Sequence, residues 1–283
     1  MDRATGSGQI YEKLEWLTRQ WWFYAALFVI PAILPPLTSA GMGYWKDPGN
    51  FVSQVTEEMY YKKLYFAGSM PILHLAVVIM IFLLGLLRSK FGRIFSFLVG
   101  INVLVMIFMQ TYVVNGAYGL VIITELLTWY IVILLMWLWE ARAGKTTYNF
   151  SNFRLENVWL IPLAVFAFWD PEVSWSFDPT YLWNSYAPTA FCMMAPIYLS
   201  VLVYQFPNIN IPLFRVTSFT GVIMSVVTIG IAFFNDLSYA IYWLILHIPL
   251  IVISIYCFRM SFRPLVRSRN QGEVNPAVHS VIE

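Results

Sequence analysis

The sequence predicts an all-α polytopic membrane protein with eight transmembrane helices and both termini on the cytoplasmic side. Three observations carry that prediction. The 283 residues are 59% hydrophobic and only 11% charged, with a mean hydropathy of +0.67, a composition well outside the soluble-domain range. The apolar residues gather into eight long stretches that almost no charge enters. Finally, the 17 Lys and Arg divide unevenly between alternate gaps. Arg3, Lys13, Arg19, Arg88, Lys90, Arg93, Arg142, Lys145, Arg154, Arg215, Arg259, Arg263, Arg267 and Arg269 fall on one side, and only Lys46, Lys62 and Lys63 on the other. A bilayer reads such a bias as orientation, with the basic side cytoplasmic.

A spanning helix needs about 20 apolar residues to cross a hydrocarbon core roughly 30 Å thick. The expected spans are 20–40, 64–87, 91–114, 117–139, 157–175, 188–206, 212–234 and 237–259. Residues 1–20 form an amphipathic segment, in which 9–20 (QIYEKLEWLTRQ) places Ile10, Leu14 and Leu17 on one helical face against the cytoplasmic surface. The first apolar run follows this polar stretch and carries Pro31, Pro35 and Pro36, so no cleavable signal peptide is expected. Cys192 and Cys257 sit in different spans near opposite faces and read as small apolar packers. The tail, 260–283, is polar and basic and suits anchoring to anionic lipid.

The two halves, 21–140 and 157–259, share an order of landmarks. Each opens on a short Pro-marked apolar segment, from Trp21 and from Val158. An aromatic loop follows with an Asp-Pro step, Asp47-Pro48 and Asp178-Pro179. Then come Pro71-Ile72 and Pro196-Ile197, an Arg-x-x-Ser-Phe from Arg93 and from Arg215, and a turn carrying Asn115 and Tyr118 or Asn235 and Tyr239. Identity is low and the gaps differ by several residues. A repeat unit of four spans makes the halves co-oriented, a parallel repeat. The opening segments are short for full crossings, and matched short or Pro-broken segments are pointers to a binding site in repeat-built membrane proteins.

Few polar groups lie deep: His74, Asn102, Gln110, Glu125 and His247, with Thr124, Thr128 and Tyr198 beside them. An intramembrane carboxylate is costly and faces the bundle interior, which makes Glu125 the first functional candidate. Counted along their spans, His74, Glu125 and His247 lie about 12–15 Å below the outer edge, at 1.5 Å per residue. Gln110 reaches a similar or shallower level, and Asp170, Glu172 and Asp236 lie near the outer mouth. Glu125 is expected seven residues past Tyr118, and His247 eight past Tyr239. That places a carboxylate and an imidazole at near-equivalent positions, a pair suited to handling a proton.

Three readings follow from this cluster. The first is an integral subunit of a larger membrane complex, redox-linked, in which His74, Gln110, Glu125 and His247 line an outer-leaflet cavity for a quinone or other lipid. The second is a membrane enzyme acting on a lipid or isoprenoid, with Glu125 and His247 as catalytic acid and base. The third is a proton-coupled transporter of small solutes. Two lone histidines without ligand spacing disfavour haem, and no metal motif is present. No span contains Lys, and Walker, GxGxxG and HExxH motifs are missing, as is any feature pointing to nucleic acid. An 18% aromatic content with 15 Gly suits a fixed bundle better than a rocking carrier. The loop 41–63 is long enough for a surface helix, and its EEMYYKK run reads as a solvated face. Architecture alone resembles the quinone-facing anchors of respiratory oxidoreductases, and no motif names a relative.

Overall fold

The computed structural model describes residues 3–41, 43–150, 155–170, 178–235 and 237–263, excepting the side chains of 3–7, 43 and 231–240. Arg154, Glu172, Trp175, Asp236, Arg267, Arg269 and the tail beyond Arg263 lie outside the described residues, as do the side chains of Arg3, Asn235 and Tyr239. In chain order the elements are α1 (Arg3–Leu17), α2 (Trp21–Ile33), β1 (Leu37–Thr38), α3 (Gly43–Lys46), α4 (Pro48–Tyr65), α5 (Met70–Leu87), α6 (Gly92–Gln110), β2 (Tyr112–Asn115) and β3 (Gly119–Ile122). There follow α7 (Thr124–Ala143), α8 (Leu160–Trp169), α9 (Tyr181–Asn184), α10 (Phe191–Val203), α11 (Ile211–Asn235) and α12 (Leu237–Ser261).

Among the described residues, five helices are long and apolar enough to cross a membrane: α5, α6, α7, α11 and α12. The stretch containing α9 meets α10 at 94° and reaches the same standard only as a bent pair. The opening helices of the two halves are short, 13 residues in α2 and 10 in α8. The chain is therefore a multi-pass helical membrane protein. Its long helices turn apolar faces outward, such as Ile72, Phe82 and Leu86 on α5, where the solvent is lipid rather than water. The opposite stripe of α5 (Met70, His74, Val77, Met80, Leu84) is buried. At the centre stands α10, with 12 of its 13 residues buried, apolar all round as a helix enclosed by others must be. Tyr198 of α10 donates to Asn102 Oδ1 on α6 (2.8 Å), and Asn102 Nδ2 donates to Pro188 O (2.8 Å).

The expected third and fourth spans, 91–114 and 117–139, are corrected by a β-hairpin. Residues 112–122 pair as β2 and β3, antiparallel, with Asn115 opposite Gly119 and Val113 opposite Val121. Asn115 Oδ1 accepts from Ala117 N (2.8 Å) and Tyr118 N (3.2 Å), and Gly119 supplies the left-handed φ of 68° that closes the turn. The short β1 joins β3, giving the order β1-β3-β2. This pairing ends α6 at Gln110 and delays α7 to Thr124, moving the fourth helix several residues along the sequence. Phe51 and Val55 of α4 pack with Val113, Tyr118 and Val121 of the sheet, a small core that caps one end of the bundle.

The loop expected to hold a surface helix contains α4, 18 residues long. Asp47 caps it by accepting from Asn50 N (3.1 Å), and Pro48 occupies the first turn, where its missing N–H costs nothing. Ahead of α9, Asp178 accepts from Thr180 N (2.9 Å) in an Asx turn. Lys62, in the last turn of α4, donates to Phe108 O and to Tyr112 O (2.9 Å) and lies over the Tyr112 ring at 3.7 Å. It thus occupies the carbonyls freed where α6 ends. Burial lowers the Lys62 pKa to about 8, against an unfolded value near 10.4. The charged amine therefore weakens the fold below pH 8, and stability should rise between about pH 8 and 10.4 as the unfolded chain comes to bind more protons than the folded one. Lys62→Met should flatten that rise. Thermal unfolding of both proteins across this range in detergent checks it, and parallel profiles would count against it.

At the opposite end, α1 is docked on the bundle. The face it buries is Thr18 with Tyr11, Leu14 and Glu15 half-covered, whereas Ile10 is 50% exposed. The expected helix is present as α1, ending at Leu17, and of the expected stripe Leu14 and Leu17 are half-buried while Ile10 is turned outward. Three contacts hold this end of the chain. Tyr24 donates to Thr18 O, Tyr11 stacks near Trp139 at 6.1 Å, and the buried Arg215 donates to Thr18 Oγ1 (3.4 Å) and Ser261 O (2.9 Å).

Candidate functional site

The four residues expected to share one cavity separate into two that line it and two that do not. A cavity of about 390 Å³ opens beneath α4 at the sheet end, within the size range of small-molecule sites. Thr56, Met59, Tyr60 and Lys63 of α4 roof it, spaced i, i+3, i+4, i+7 as one helical face. Met109 and Gln110 end the wall from α6, Leu126 and Tyr130 come from α7, Met193 from α10, Met224 and Thr228 from α11, and Trp243 and His247 from α12. The lining is mostly apolar, with a few convergent polar groups.

His247 is 1% exposed. Its Nδ1 lies 2.8 Å from Trp243 O one turn back, and the Trp243 ring flanks it at 5.3 Å. Its Nε2 is buried without a hydrogen-bond partner among the described residues. Such an atom is costly unless something answers it. Gln110, the last residue of α6, accepts from the Tyr130 hydroxyl through Oε1, which leaves its amide nitrogen without a protein partner among the described residues. Asp170 reaches the cavity from the end of α8, where it holds a left-handed φ of 36°.

His74 is fully buried but committed elsewhere. Its Nδ1 meets Met70 O at 2.9 Å and its Nε2 meets Ser185 Oγ at 3.1 Å, with Phe168 packed against the ring at 4.7 Å. Both nitrogens are used in joining α5 to the segment before α10, so this ring has no free position for a ligand or a haem iron.

Glu125 lies at a different depth from the one its span predicts. The hairpin delays α7, so Glu125 is in the first helical turn, where the helix dipole favours a carboxylate. It is half-buried and has no hydrogen-bonding partner among the described residues; Leu126 and Tyr130 line the cavity instead. The equivalence with His247 fails for the same reason, since His247 lies well inside α12 (Leu237–Ser261). The neighbouring Thr124 donates to Leu34 O (3.0 Å) and Pro35 O (2.8 Å). It thereby satisfies carbonyls that the Pro-broken end of α2 leaves open.

Two lining residues escape a reading of spans. Tyr130 is hidden in an apolar run, TWYIV, where it reads as packing. Lys63 sits in EEMYYKK, which reads as solvated, although the helical spacing of Thr56, Met59, Tyr60 and Lys63 is a signal that one face of α4 is covered. A third omission is Glu140, 1% exposed at the other end of α7. Its carboxylate accepts from Thr146 N (2.7 Å) and Asn210 Nδ2 (2.7 Å). With the fourth span expected to stop at 139, Glu140 counts as a surface residue; the longer α7 carries it inside. Comparison with protein-family models, with curated proteins and with solved structures finds no match to this chain.

Proposed function

We propose that the chain is an eight-span subunit of a larger membrane complex, built as two co-oriented four-helix units with both termini cytoplasmic. In this reading the sheet end faces outward, and the cavity beneath α4 holds the head of a lipid-soluble molecule such as a quinone. Five long helices, one bent pair and the two short apolar helices α2 and α8 sum to the eight apolar segments of the sequence. Arg19, Arg93, Arg142, Lys145, Arg215 and Arg259 lie at the end opposite the sheet, as the positive-inside bias requires. The observation that carries the ligand proposal is that His247 lines a cavity of Met, Leu and Tyr while its Nε2 is buried without a partner among the described residues. A membrane-facing bundle with few glycines suits a fixed partner surface.

Native purification in mild detergent, followed by mass spectrometry of proteins and lipids, tests the proposal. Partner subunits and a stoichiometric lipid quinone or related lipid are expected. A chain that purifies alone and carries no such lipid would refute it.

A further inference from the structure

The hydrogen-bonding valence of the cavity specifies more than a lipid-soluble guest. Trp243 O can only accept, so the 2.8 Å contact places the ring proton of neutral His247 on Nδ1. Nε2 is then a lone pair, and it needs a donor. The residue is 1% exposed, with the Trp243 ring flanking it at 5.3 Å, and this atom is buried without a partner among the described residues. Gln110 presents the opposite valence. Its Oε1 is taken by the Tyr130 hydroxyl, so the amide offers N–H donors.

A carbonyl answers Gln110 but leaves Nε2 unpaired. A hydroxyl donates to Nε2 and can accept from Gln110 with its own lone pairs. We infer that the cavity prefers a hydroxyl-bearing head on an apolar body, a hydroquinone or a prenyl alcohol, over the corresponding carbonyl compound. The inference rests on the cavity reading proposed above and narrows it to the reduced form of the guest. The contact is hydrogen bonding alone, with no bond made or broken in the guest. Other polar and titratable groups around the cavity are Tyr60, Lys63, Asp170, Tyr242 and the Trp243 indole.

Calorimetric titration of the full chain in phosphatidylcholine nanodiscs, in anaerobic buffer, decides it. The probes are a short-tailed benzoquinol, the matching benzoquinone and farnesol. Benzoquinol is expected to bind at least about tenfold tighter than benzoquinone, equivalent to 1.4 kcal/mol at 25 °C. His247→Leu should erase that preference, weakening benzoquinol relative to benzoquinone until the two bind within about twofold of each other, and Gln110→Leu should weaken both probes while keeping the preference. Farnesol binding as tightly as benzoquinol assigns a prenyl alcohol, and weaker farnesol binding assigns a hydroquinone; both keep the inference. Benzoquinone binding as tightly as benzoquinol in the wild-type protein overturns it while the cavity reading survives. If no probe binds at all, the cavity reading fails too.

Discussion

Replacing Glu140 by Ala is expected to lower the unfolding free energy by about 2–5 kcal/mol, the cost of leaving two buried donors without their acceptor. Its carboxylate takes Thr146 N and Asn210 Nδ2, and both donors would be left buried without an acceptor. The loss would spread, because Asn210 also caps α11. Its Oδ1 accepts from Leu213 N (3.2 Å), and its own N–H donates to Thr146 Oγ1 (3.2 Å). One carboxylate therefore ties the end of α7, the connector after Gly144 and the start of α11. Glu140→Gln keeps one acceptor and one mismatched amide, so it should fall between wild type and Ala. Unfolding in detergent, followed by circular dichroism, gives the order. A loss below about 0.5 kcal/mol in the Ala variant, the range of ordinary surface changes, would show that the connector is held by something else.

The second large effect concerns the same connector from its other side. Tyr148 is 1% exposed and lies against α6 beside Phe95, at 5.4 Å between ring centroids. A Cβ at Gly92 would sit 2.4 Å from Tyr148 Cδ2, too close for both groups to stay. Gly92→Ala should therefore cost about 1–3 kcal/mol through overpacking. Tyr148→Ala alone should cost about 3–5 kcal/mol, as other buried aromatic truncations do. The double variant is the informative one. With the ring gone, Ala at 92 should be neutral or stabilising, since Ala is favoured over Gly in a helix by roughly 0.5–1 kcal/mol. A double-mutant cycle of unfolding energies measures the coupling. Simple additivity would mean that Gly92 serves α6 itself and leaves Tyr148 room only incidentally.

These two sites show where a linear reading of the chain stops. Residues 144–150 look like a polar linker between halves, yet Thr147 N donates to Asn208 O (2.9 Å), Asn149 N to Gln205 Oε1 (2.6 Å) and Ser89 Oγ to Tyr148 O (2.9 Å). Every one of those partners is far away in sequence, so no local pattern announces them. The hairpin is a different case. Asn115-Gly116 between Val113-Val114 and Val121-Ile122 is a strong hairpin signal, and it is concealed only because β-branched residues also count as apolar in a hydropathy window. Reading that turn correctly moves α7 along the chain, lifts Glu125 to the first turn and draws Glu140 inside.

The candidate site divides along the same line. Gln110 and His247 were legible as polar residues in apolar stretches, and they line the cavity together. His74 was equally legible, but its ring is consumed by Met70 O and Ser185 Oγ, and Ser185 stands 111 residues away. Sequence by itself determined that this chain forms apolar helices, that its basic residues fall in alternate gaps, and which few polar side chains must find partners inside. Those are properties of composition and of transfer from water to lipid, which act residue by residue. Only the tertiary structure decided which polar groups satisfy one another, and that His247, whose Nε2 is buried without a hydrogen-bond partner among the described residues, lines the cavity. Hydrogen-bond satisfaction depends on the angles and distances between helices remote in sequence, and hydropathy carries no information about either.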